Sequence, residues 1–127
     1  ATLVPDTTLF RSGAKLAGAN LENVNLTGAN LVGANLIDIF IEDTNLQDAN
    51  LTGADLTKAY LEATDLTGAK LTMANLTGAF LEGTNLENTD LTDAVLTDAK
   101  LIWVKNLNKA ILCRTTMPDR TVNNSGC

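Results

Sequence analysis

The chain contains no histidine. That removes histidine-based triads, histidine general bases and most zinc sites together. No stretch is apolar enough to span a bilayer, and neither a phosphate-cradling nor a dinucleotide-binding glycine pattern occurs. Threonine is plentiful but has no activating base beside it, and at these positions it reads as a turn residue. Proline and cysteine occur twice each, and the aromatics are three Phe, one Tyr and one Trp in 127 residues. No catalytic residue, cofactor or bound metal is expected, and at this length the chain is one domain.

What is present is a beat of five. From 16 to 101 every fifth residue is Leu, with Ile41 the one break. Two residues earlier stands Ala in twelve units (Ala14, Ala19, Ala29, Ala34, Ala49, Ala54, Ala59, Ala69, Ala74, Ala79, Ala94, Ala99), and Asn or Asp lies between in eleven. A helix turning about 100° per residue would scatter these leucines around its axis. A long strand, alternating faces, would send successive leucines to opposite sides. A chain that turns a corner of about 90° after each unit satisfies both constraints: four units close a square coil, and residues twenty apart stack. Within each side Ala points in, Asn or Asp out, and Leu in.

The corner chemistry agrees. The last residue of the unit is Gly seven times and Asn or Asp seven times, the types that tolerate the positive φ of a type II turn. Lys58, Ala63, Met73 and Trp103 depart from this, so a different turn type is expected there.

On these residues the chain resembles the pentapeptide-repeat family, whose members form a right-handed quadrilateral β-helix. The resemblance implies an all-β solenoid of about five coils with terminal caps. Residues 1–13 are expected to form an N-terminal cap, with Thr8, Leu9 and Phe10 in a frame shifted by one. Residues 14–103 form the uninterrupted β-helix, and residues 104–127 a frame-shifted last coil and cap, because a solenoid end exposes raw backbone edge unless covered. After the slip Leu107, Leu112 and Met117 are the expected inward residues, with Ala110 and Thr115 as their small partners.

Cys113 and Cys127 lie outside the strict repeat, placed to tie the tail onto the last coil. The pairing suggests a disulfide and an oxidising compartment; two reduced thiols in the cytoplasm are the alternative. The segment from Leu112 to Asp119, with Asn123 to Cys127, resembles the C-terminal cap of cyanobacterial and thylakoid-lumen members of the family. Arg120 stands where that cap commonly has Gly, which strains the turn. A periplasmic or thylakoid-lumen setting follows as the expectation. The chain opens at Ala1 rather than Met, which fits either removal of a signal or a trimmed chain.

Stacking by twenty collects Phe40, Tyr60 and Phe80 in one outward column, between Asn20 and Lys100. Beside it run Glu22, Glu42, Glu62 and Glu82, with Trp103 at the closing end of the next corner column. The three rings either stabilise the wall by stacking or mark a partner-binding face. The glutamates are either a solvated ladder or a site for a cation or a basic partner. The inward column Val24, Thr44, Thr64, Thr84 needs hydrogen-bond partners for its hydroxyls, from one another or from coil backbone.

The expected function is that of a non-catalytic structural or protein-interaction module, monomeric, with no direct nucleic-acid binding and no membrane insertion. The alternative comes from the resemblance: some family members are acidic rods that mimic DNA and bind DNA gyrase. Net charge of −6 fits that loosely, whereas the short, capped, leucine-filled chain does not.

Overall fold

The computed structural model describes residues 11–127; the expected frame of Thr8, Leu9 and Phe10, and most of the expected N-terminal cap, lie outside them. Residues twenty apart pair in parallel on every side, from Lys15 with Asn35 to Asn85 with Lys105. One residue per side makes each bridge, so the walls are ladders of single residues and not long strands.

In most units three backbone bonds join neighbouring coils. On the first side these are Leu16 N–H to Asn35 O at 2.9 Å, Gly18 N–H to Ile37 O at 2.8 Å and Asn35 N–H to Ala14 O at 2.9 Å. Every corner but the one at Ile41 is closed by a bond back to the leucine carbonyl, as from Ala54 N–H to Leu51 O at 3.0 Å. The third corner residue is left-handed throughout the repeat. This overturns the expectation of another turn type at Lys58, Ala63, Met73 and Trp103, whose φ values are 57°, 56°, 60° and 57°. For Lys58, Ala63 and Met73, left-handed φ aims the N–H at the coil above, at 2.9, 2.8 and 2.9 Å. The ladder thus outweighs a residue preference of roughly 1–2 kcal/mol.

The core is the inward column set. Leu46, Leu66 and Leu71, with Ala49, Ala59 and Ala69, are closed to solvent, each leucine contributing about 1.5–3 kcal/mol by burial. Alanine lets facing walls approach; Ile39 replaces it once and is also buried. The inward threonines bond to backbone and not to each other: Thr44, Thr64 and Thr84 hydroxyls donate to the carbonyls of Leu21, Ile41 and Leu61, at 3.1, 2.7 and 2.8 Å.

The frame slips at Asn106, left-handed at φ 62°, just before a 3-10 turn over Leu107–Lys109. Lys105 still pairs twenty back with Asn85, whereas Ile111 and Thr116 pair twenty-one back with Asp90 and Val95. Leu112 and Thr115 are buried; Leu107, Ala110 and Met117 are only partly so. The chain then reverses, and β1 (Thr115–Thr116) pairs antiparallel with β2 (Val122–Asn123). Arg120 in that reversal has φ 72°, the strained left-handed geometry its position implied.

Candidate functional site

All eleven outward Asn and Asp side chains of the repeat do more than face solvent. Each accepts the backbone N–H two residues on, as Asn25 Oδ1 does from Thr27 at 3.0 Å. Where Thr follows Leu, its hydroxyl commonly adds a second bond, 2.6 Å from Thr67 to Asp65. These side chains brace the corners. The recurring Asn/Asp-Leu-Thr order carried that signal.

Phe40, Tyr60 and Phe80 occupy the same position and forgo this brace. The bridge ladder places them one coil apart, and their rings stack nearly parallel: centroids 4.6 Å apart at 5° for Phe40 and Tyr60, 5.0 Å at 7° for Tyr60 and Phe80. All three are half-buried. They stand between Asn20 below and Lys100 above.

Glu42, Glu62 and Glu82 flank the rings and are half-buried, while Glu22 is exposed. Burial, then the charges of Glu42 and Glu82 on either side, push the Glu62 carboxyl above the usual carboxylate range. Among the described residues no group of His, Cys, Asp or Glu is arranged to hold a metal ion. Trp103 stands apart from the stack, 83% exposed on its corner.

At the far end Cys113 and Cys127 are joined in a disulfide, Cα atoms 4.8 Å apart. The tail lies so close that a Cβ on Gly126 would stand 2.8 Å from Leu112 N. Arg114 bridges to the coil beneath, its Nε and Nη2 donating to Asp93 Oδ1 and Oδ2 at 2.7 and 3.0 Å. That grip holds the Asp93 carboxyl below its ordinary range. Neither the Arg114 pair nor the weaker one from Arg120 to Asp98, 3.4 Å, was among the contacts expected from the sequence.

A core of stacked leucines, braced corners and a ringed wall define a repeat solenoid. The profile of the pentapeptide repeats matches in eight copies, over residues 12–40, 44–83 and 69–105. The chain belongs to the pentapeptide repeat family, and its coils form the right-handed quadrilateral β-helix of that family.

Among solved structures, a pentapeptide repeat protein from the Arabidopsis thaliana thylakoid lumen is 30% identical, with 72% of this chain and 65% of that one covered and a TM-score of 0.57. One from Nostoc PCC 7120 is 34% identical over 80% of each chain, TM-score 0.56. One from the cyanobacterium Cyanothece 51142 is 36% identical over 72% of this chain and 54% of that one, TM-score 0.48. The chain thus spans less than two thirds of the Arabidopsis and Cyanothece proteins. No curated protein matches it.

Proposed function

We propose that this chain is a non-catalytic protein-interaction module of an oxidising compartment, the thylakoid lumen or a periplasm. It works as a monomeric rod, residues 14–103, closed by residues 104–127. Its docking face is the wall of Phe40, Tyr60 and Phe80, edged by Glu42, Glu62 and Glu82 and ending near Trp103. The observation that carries this reading is the missing brace. Eleven sibling positions use Asn or Asp to hold their corners, and only this wall replaces it in three consecutive coils, with half-exposed rings. Apolar surface rimmed by carboxylates fits a partner with an apolar centre and a basic edge. The compartment is supported by the disulfide and by the likeness to the thylakoid-lumen protein.

The test compares capture of partners from native lysate by wild type, Tyr60→Ser and Glu62→Lys. Loss of the same partner by both variants, each still folded, supports the face. Unchanged capture by both, or inhibition of gyrase supercoiling by the wild type, would overturn it, the latter in favour of the acidic rod.

A further inference from the structure

The ladder ends unevenly. Above Asp90 and Val95 the chain returns as Ile111 and Thr116, whose carbonyls take the N–H groups of Leu91 and Leu96 at 2.9 and 2.7 Å. On the other two walls nothing described returns. One coil lower, Leu81 and Gly83 donate to Lys100 O and Ile102 O, at 2.9 and 3.2 Å, while Ala79 O and Thr84 O accept from Lys100 and Lys105, at 2.9 and 2.8 Å. Their counterparts in the last coil are the N–H groups of Leu101 and Trp103 and the carbonyls of Ala99 and Val104. None of the four has a hydrogen-bond partner among the described residues. Lys58, Ala63 and Met73 take left-handed φ and donate to the coil above; Trp103 takes the same φ with no acceptor there among the described residues.

The surroundings of this edge are apolar and basic. Leu101, Val104 and Leu107 are only partly buried against the core, and Ile102 and Trp103 are 52% and 83% exposed. Lys100 and Lys105 are exposed, and neither is among the cations that pair with an acid, Lys109, Arg114 and Arg120. From Lys100 onward the chain carries five of its nine Lys and Arg and a single acid, Asp119. The nearby acids are Glu82, one coil below Ile102, Asp98, bonded to Arg120, Glu87, paired with Lys109, and Asp65, two coils below Lys105 and within reach of its charge. A mostly acidic rod therefore ends in a basic, partly open rim.

We propose that this edge is a docking site for an extended acidic segment of a partner protein, which adds one more parallel side and corner to the rod. An open row of N–H and C=O groups is a template for strand addition, and the unpaired lysines select the sign of charge. Coil stacking dictates the register. The residue over Lys100 gives its N–H to Ala99 O, takes the Leu101 N–H, and turns its side chain outward beside the lysine, so it is Asp or Glu. The next residue points inward over Leu101 and is apolar, and the one after it accepts the Trp103 N–H. Three residues further on, a second acid lies over Lys105 with its N–H on Val104 O. This site begins where the aromatic wall ends, at Lys100 above Phe80, and uses none of its rings, so it does not depend on the docking face proposed there.

The single Trp of the chain reports occupancy directly. Titrating the full chain with acetyl-Ala-Glu-Leu-Thr-Gly-Ala-Glu-Leu-amide should change Trp103 emission saturably, more weakly as salt rises. Replacing both Glu of the peptide by Lys should weaken binding about tenfold, and Lys100→Glu with Lys105→Glu should reverse that preference at unchanged melting temperature. Methylating the backbone nitrogen of the first Glu should also weaken binding about tenfold, since Ala99 O then loses its donor. Tyr60→Ser should bind the peptide normally. Equal affinity for the two peptides, or no change in Trp103 emission, would overturn the proposal. So would a protein-concentration-dependent emission change that tracks a dimer in sedimentation, because the edge would then belong to a second copy.

Discussion

The Thr64 hydroxyl donates to the Ile41 carbonyl at 2.7 Å, and no other donor among the described residues reaches that carbonyl. One coil on, the Leu61 carbonyl takes both the Thr84 hydroxyl at 2.8 Å and the Thr64 N–H at 3.1 Å. Replacing Thr by Val keeps the shape and deletes the hydroxyl. Because an orphaned buried carbonyl costs about 1–3 kcal/mol, Thr64→Val should destabilise clearly more than Thr84→Val. Denaturant unfolding of the two variants checks this; equal losses would mean that a second acceptor bond matters as much as the first.

Inward and outward positions should separate sharply. Leu71→Ala, at a site closed to solvent, should cost about 2–5 kcal/mol through lost burial and a cavity. Thr67→Ala removes the hydroxyl bond to Asp65 but keeps the backbone brace, so its cost should be about 0.5–1 kcal/mol. Similar melting temperatures for the two would contradict the square-coil packing.

The left-handed corners without Gly or Asx leave stability to be gained. Ala63 has φ 56°, and one coil above it Gly83 makes the same corner at φ 68°. Ala63→Gly relieves the left-handed cost of an L residue and should raise stability by about 0.5–1 kcal/mol, net of the entropy glycine adds to the unfolded chain. A loss of stability in thermal unfolding would show that Ala63 is not strained.

Glu62 makes stability fall as pH rises. Its folded carboxyl holds a proton that the unfolded chain has already released, so the stabilisation is complete below the ordinary carboxylate range and is lost as pH climbs through the raised folded value. Glu62→Gln stays neutral throughout. The variant should be more stable than wild type at neutral pH, with the gap closing on acidification. Asp65 moves the other way: burial raises it, but the bonds from Thr67 and Gln47 prevail and lower it, so its contribution is lost as pH falls through its folded value. A gap between Glu62→Gln and wild type that is constant with pH would point to packing and not to charge.

Reduction of the Cys113–Cys127 bond, which closes fourteen residues of sequence separation, should cost about 3 kcal/mol by loop-closure entropy. The isolated oxidised protein should weigh about 2 Da less than its dithiol form. The reduced protein should keep its β signal, because the leucine ladder includes neither cysteine. Full alkylation of unreduced native protein would refute the bond.

The inward leucines, the outward Asn and Asp and the aromatic column were legible in the sequence because each is a consequence of period. A beat of five closing at twenty assigns every residue a side and a neighbour, whatever the details of the chain path. The turn geometry at Lys58, Ala63 and Met73 was not legible, since local preference argued against it and the ladder is a tertiary quantity; Trp103 takes the same left-handed φ without a ladder bond among the described residues. The same holds for the hydroxyl of Thr64, which finds the Ile41 carbonyl one coil below and not a neighbouring hydroxyl. Where the rod closes was decided last. The slip at Asn106 and the fold-back onto Thr115 and Thr116 cover two walls and leave the N–H groups of Leu101 and Trp103 without partners among the described residues on the others. Periodicity is a local property repeated, so sequence carries it; an end is the place where repetition stops, and only the packed chain fixes which backbone groups are left without partners.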